Sequence, residues 1–98
     1  MKKTGYSIEE YSEFLRALSD ETRQEIIFGF MGHKEINVSD IAKRFALSRP
    51  TISHHLNLMK RAKLLNARKE GKEIYYSFNK EYAIGFLEEM TKWLKNCC

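Results

Sequence analysis

Ser48, Arg49, Thr51, Ser53, His54, Asn57 and Lys60 bring together short hydroxyls, an amide, an imidazole and two cations, with no carboxylate between the first and the last of them. Hydroxyls and amides exchange hydrogen bonds with base edges in a major groove about 12 Å wide, and Arg and Lys neutralise phosphates. Farther along, Arg68, Lys69 and Lys72 surround Glu70 and Gly71, a placement suited to a nucleic-acid backbone. A different chemistry ends the chain, where Cys97 and Cys98 form a vicinal thiol pair fit to chelate arsenic(III) or another thiophilic ion. Adjacent Cα atoms lie about 3.8 Å apart, below the usual disulfide span of about 4.4–6.8 Å. Ligand capture or cross-linking between chains is therefore favoured over an internal disulfide, and an inert, frayed tail is the plainer reading of the same residues. Catalysis has no support. The chain lacks a nucleophile and base arrangement and a Gly-rich phosphate loop, so it reads as a non-enzyme with no required cofactor.

The reading residues need a helix beneath them. Ser48 is a natural N-cap, Pro50 is tolerated in a first turn whose N–H groups lack partners, and Ile52, Leu56 and Met59 form the inward stripe. The helix before it starts at Asn37 with Asp40 in its first turn and points Ile41, Ala42 and Phe45 inward. A tight turn at Ala46 and Leu47 joins the two, which is the form of a helix-turn-helix. Leu64 to Lys69 and Glu73 to Phe78 read as two strands, with Ile74, Tyr76 and Phe78 alternating, and so as a wing. Ser7 with Glu10 announces a first helix carrying Tyr11, Phe14, Leu15 and Leu18, and Asp20 caps a second with Ile26, Ile27 and Phe30. The last helix covers about Lys80 to Lys95, with Ala83, Phe86, Leu87, Met90 and Leu94 on one face and Ile84 and Trp93 beside it. The expected fold is mainly α with a small β-hairpin, about five helices and a two-stranded wing in one domain spanning residues 1–98.

Charge is partitioned along the chain. Net charge is +4, and the stretch from Lys43 to Lys72 holds nine Lys or Arg residues against Glu70 alone, whereas Thr4 to Ser39 holds three basic residues against seven acidic ones. A field concentrated on the expected reading helix and wing is what phosphate-driven affinity needs. Composition is 43% hydrophobic over 98 residues, enough for one modest core. No apolar run would span a membrane, the Met-Lys-Lys-Thr-Gly-Tyr start lacks a secretory apolar stretch, and two terminal cysteines are no disulfide framework. A cytoplasmic protein is expected.

The chain resembles the ArsR/SmtB-type winged-helix repressors of bacteria and archaea. Leu18-Ser-Asp-Glu-Thr-Arg23 is similar to that family's entry to its second helix and Asn37-Val-Ser-Asp-Ile-Ala42 to its third. Ser53-His-His-Leu56 is similar to its recognition helix and Glu70-Gly-Lys-Glu-Ile-Tyr-Tyr76 to its wing. The match runs from about Tyr11 to Trp93. The resemblance implies a DNA-binding repressor that dimerises through terminal helices 7–18 and 80–95, using Tyr11, Phe14, Leu15, Phe86, Leu87, Met90, Trp93 and Leu94. A dimer would present two recognition helices about 34 Å apart and require double-stranded DNA with an imperfect inverted repeat.

Two departures from the family matter. Many relatives bind metals through a Cys-x-Cys pair on the third helix or through Asp and His on the last, yet Asn37 and Ser39 occupy the thiolate positions and no histidine follows His55. Cys97 and Cys98 remain as candidate ligands for an effector. Lys63 stands where the family usually has Gly, which costs about 1 kcal/mol if that position needs positive φ. Of the histidines, His33 is expected in solvent, His54 toward DNA and His55 behind the recognition helix. Two alternatives remain from the residues: a winged-helix module that docks on protein or RNA, and a repressor with no metal effector.

Overall fold

A computed structural model describes residues 5–97. The expectations placed on Met1 to Thr4 and on Cys98 lie outside the described residues. The elements run α1 (Ile8–Leu18), α2 (Glu21–Gly29), β1 (Ile36–Asn37), α3 (Val38–Phe45), α4 (Arg49–Arg61), β2 (Leu65–Glu70), β3 (Glu73–Phe78) and α5 (Lys80–Cys97).

Four of these helices begin at caps. The Ser7 hydroxyl accepts from the Glu10 N–H while the Glu10 carboxylate accepts from the Ser7 N–H, a reciprocal box at the head of α1. Asp20, Asn37 and Ser48 accept in turn from the N–H groups of Arg23, Asp40 and Thr51. Each such cap is worth about 0.5–2 kcal/mol. α3 and α4 also end alike. Ala46 and Lys63 adopt left-handed backbone, with φ of 51° and 64°. The next residue folds back in each case, Leu47 N–H to Ala42 O and Leu64 N–H to Met59 O. The φ that Lys63 was expected to strain against is therefore real, and it delays the following strand to Leu65.

The sheet has three strands in the order β1-β3-β2, where sequence reading expected a two-stranded wing. β1 is only two residues long and pairs Ile36 with Tyr76 and Asn37 with Tyr75. The hairpin pairs Leu65 with Phe78 through Glu70 with Glu73, leaving Gly71 and Lys72 at its tip with Gly71 at positive φ. Beneath lies the core, in which Phe14, Ile26, Ile41, Ile52, Leu56, Met59, Leu64 and Phe86 are fully buried. The rings of Phe14 and Phe86 stack with centroids 3.8 Å apart and lock α5 onto α1. Among the described residues, no helix is long and apolar enough to cross a membrane.

Candidate nucleic-acid interface

α3 and α4 lie against each other across the left-handed turn at Ala46, and Ile52, Leu56 and Met59 anchor α4 to the core. That burial leaves Arg49, Thr51, His54, Asn57 and Lys60 exposed, with Ser53 half-buried beside them. The expected reading residues thus share the outward side of one rigid helix. Two of them are held locally. Ser48 donates to the Thr51 hydroxyl at 2.9 Å, and Arg49 donates to the Ser39 hydroxyl at 3.1 Å, which steadies its guanidinium against α3.

The wing is less uniform than its composition implied. Lys69 and Lys72 are exposed near the tip, with no ion pair to either among the described residues. Arg68, expected to face phosphates with them, is engaged within the protein. It clamps Glu35 with Nε to Oε2 at 3.0 Å and Nη2 to Oε1 at 2.9 Å, its Nη1 meets Glu70, and it lies over the Tyr75 ring at 4.8 Å. Two carboxylates raise its affinity for its proton, and the same bonds hold Glu35 below the usual carboxylate range. Arg68 is a strut between the wing and the loop before β1, and Lys69 and Lys72 are the exposed cations beside the tip.

Behind α4 the structure places a charged residue that sequence reading missed. Arg23 is 7% exposed, with Nε donating to Ala17 O at 2.9 Å and Nη2 to Arg16 O at 3.0 Å. Its Nη1 meets His55 Nδ1 at 3.1 Å, and Asp20 lies 3.8 Å from the same nitrogen. The signal was present, because the spacing of Arg23, Ile26 and Phe30 puts the arginine on the inward side of α2. His55 is therefore a half-buried, hydrogen-bonded group behind the helix as expected, His54 is exposed, and exposed His33 lies 3.4 Å from Arg44.

The terminal helices divide the expected interface residues. Phe14 and Phe86 are not surface groups: their stack belongs to the chain's own core, because a domain this small needs both rings to close it. Tyr11 and Met90 are half-buried against that core. Leu15, Leu87, Trp93 and Leu94 are exposed, as is Ile84, and every residue of α5 from Thr91 to Cys97 faces solvent.

The positions at which many family members carry thiolates have structural duties here. Asn37 Oδ1 caps α3 at 2.8 Å from Asp40 N, and Ser39 accepts from Arg49. Neither supplies a soft donor. Cys97 donates its S–H to Leu94 O at 3.4 Å on the last turn of α5. Among the described residues, no cluster of three or more His, Cys, Asp or Glu side chains is placed to hold a metal ion.

This geometry has close relatives. A family-wide sequence profile described as "Bacterial regulatory protein, arsR family" matches residues 20–67, from the cap of α2 into β2. The transcriptional repressor SdpR of Bacillus subtilis is 37% identical over 81 residues, covering 83% of this chain and 84% of SdpR. The cadmium resistance transcriptional regulatory protein CadC of Listeria innocua is 32% identical over 96 residues, covering 91% of this chain and 81% of CadC. The crystal structure of the transcriptional repressor PagR of Bacillus anthracis superposes with a TM-score of 0.64 at 35% identity, over 82% of this chain and 93% of that one. With an exposed reading helix, a wing beside it and these relatives over most of its length, the chain belongs to the ArsR family of winged-helix transcriptional repressors, a DNA-binding and non-enzymatic class.

Proposed function

We propose that the chain acts as a homodimer that binds an imperfect inverted repeat in double-stranded DNA through α4 and the wing. The observation that carries this reading is the exposed row of Thr51, His54, Asn57 and Lys60 on a helix whose opposite side is fully buried. Thr51, Ser53, His54 and Arg49 read base edges, and Lys69 and Lys72 add affinity without sequence preference. Dimerisation is supported by the exposed Leu15, Ile84, Leu87, Trp93 and Leu94 along α1 and α5, since burying apolar surface is favourable by roughly 25 cal/mol per Å². The place of action is the cytoplasm.

For an effector, soft-metal capture at Asn37 and Ser39 is chemically unsuited, which leaves Cys97 and Cys98. Arsenic(III) takes three sulfurs, so the third would come from the partner copy or a small thiol. Its binding would favour a dimer in which the ends of α5 are rearranged and the two recognition helices no longer match successive grooves. The test is selection of bound duplexes from a random pool, with and without arsenite and zinc under reducing conditions, alongside sedimentation of the free protein. A two-fold-related sequence and a dimer are expected. A monomer at micromolar concentration, or no preference for duplex over single-stranded RNA, refutes the reading.

A further inference from the structure

Arg23 is buried on the side of α4 away from the reading residues, so no phosphate reaches it. Two of its nitrogens, Nε and Nη2, donate to the carbonyls of Ala17 and Arg16 at the end of α1, and the third, Nη1, meets His55 Nδ1. A guanidinium has no acceptor, so His55 must present a lone pair at Nδ1 and carry its proton on Nε2. We infer that Arg23 and His55 are positioning residues for DNA reading: neutral His55 ties α4 to α1 and α2, and its protonation releases that tie and weakens DNA binding. This inference rests on the DNA-reading role of α4.

The groups facing His55 can be named from each side. α2 presents Arg23 and its cap Asp20, α4 itself presents His54 with ring centroids 6.0 Å apart, and α1 presents the Arg16 and Ala17 carbonyls. The side chains of Glu13 and Arg16 sit farther along, beside Leu58 and Arg61. Burial is the main cause holding His55 below the ordinary imidazole range. Arg23 and His54 act in the same direction, and Asp20 opposes them. His55 is thus neutral at pH 7 and gains its proton in acid.

A new N–H at Nδ1 cannot point at Arg23 Nη1, so the bond at 3.1 Å is lost and two cations stand in contact. Asp20 Oδ2, 3.8 Å from Nδ1, is the acceptor that draws the ring away. His55 is the neighbour of His54 and lies one turn from Thr51, so movement there displaces the reading side chains. By linkage, a single proton excluded from the bound state lowers affinity by up to about tenfold per pH unit below the His55 pKa. His54 is exposed on the DNA-reading side of the same helix and is therefore replaced in both proteins compared.

The experiment therefore compares His54→Gln with the double variant His54→Gln, His55→Asn. Asn Oδ1 stands where Nδ1 stands, accepts from Arg23 and does not titrate. Affinity for one duplex recovered by random-pool selection is measured from about pH 8 to about pH 5.5 at constant ionic strength, with far-UV circular dichroism confirming the fold. The single variant should lose affinity progressively toward the acid end of this range, by up to about tenfold because the His55 pKa lies below about 6.5, and the double variant should stay flat. Equal pH dependence in the two proteins overturns the inference alone, while a wild type that binds no duplex from the random pool at pH 8 overturns the DNA reading together with it. If the double variant does not fold, imidazole ¹⁵N resonances of the wild type decide. Nδ1 of His55 unprotonated at pH 8 supports the inference, and a protonated Nδ1 there removes it.

Discussion

Replacing Lys63 by Gly and by Ala isolates a backbone cost that the fold carries at the end of its recognition helix. Lys63 holds φ at 64° in the turn that folds Leu64 N–H back onto Met59 O. Both substitutions delete the ion pair to Glu10 at 2.9 Å and the cation over the Tyr82 ring at 5.8 Å. Those losses cancel between the two variants, and only the backbone differs. A left-handed residue with a Cβ costs about 1–2 kcal/mol, while glycine forfeits about 0.5–1 kcal/mol in unfolded-chain entropy. The Gly variant should therefore be more stable than the Ala variant by about 0.5–1 kcal/mol. For a domain of this size that is about 2–8 °C in Tm. Thermal and urea unfolding followed by circular dichroism, at one protein concentration so that association is held constant, reads the difference. An Ala variant as stable as the Gly variant would refute the strain argument. Ala46→Gly, at φ of 51° on an exposed position with no side-chain contact to lose beyond a methyl, should gain stability with the same sign.

Other perturbations address the interface and its supports. Arg49→Ala or His54→Ala should cost roughly 1–3 kcal/mol of operator binding and relax preference at individual base pairs in a competition assay. Lys69→Gln or Lys72→Gln should weaken all duplexes alike and reduce the salt slope by about one each; a change in sequence preference would reverse these roles. Glu35→Gln should speed hydrogen exchange of the β2 and β3 amides by loosening the Arg68 strut. The wild type should show the same loosening in acid. Bonds from Arg68 hold Glu35 below its ordinary range, so their contribution is full above the unfolded carboxylate pKa near 4.3 and is lost as pH falls through the lower folded value. Zinc in micromolar excess should leave operator affinity unchanged. Any arsenite response should disappear in Cys97→Ser, Cys98→Ser, and an identical response there would remove the thiols from the mechanism.

Local features were open to sequence reading because their physics spans only a few residues. Ser7 with Glu10, Asp20, Asn37 and Ser48 each satisfy N–H groups three positions on, so residue type and spacing suffice to place four helix starts. The outward set on α4 followed from a single apolar stripe, Ile52, Leu56 and Met59, and the partition of charge along the chain located the basic surface without coordinates. Even the positive φ at Lys63 was foreshadowed, through the glycine that the family usually places there.

What only the tertiary structure decided are pairings between distant residues and the choice between two apolar faces of one helix. β1 is two residues long and exists because β3 offers it a partner, so no local pattern marks it. Glu35 and Arg68, thirty-three positions apart, meet only after the hairpin folds beside that strand, which gives a cation expected at the phosphates an ion pair within the protein. Arg23 is buried because α1 supplies two carbonyls and α4 an imidazole nitrogen around it, compensation that a one-dimensional reading of charge does not register. On α5, Phe86 turns in and Leu87 and Leu94 turn out, since Phe14 is there to stack with the first. Sequence determines which groups need partners; the packed chain determines which partners they find.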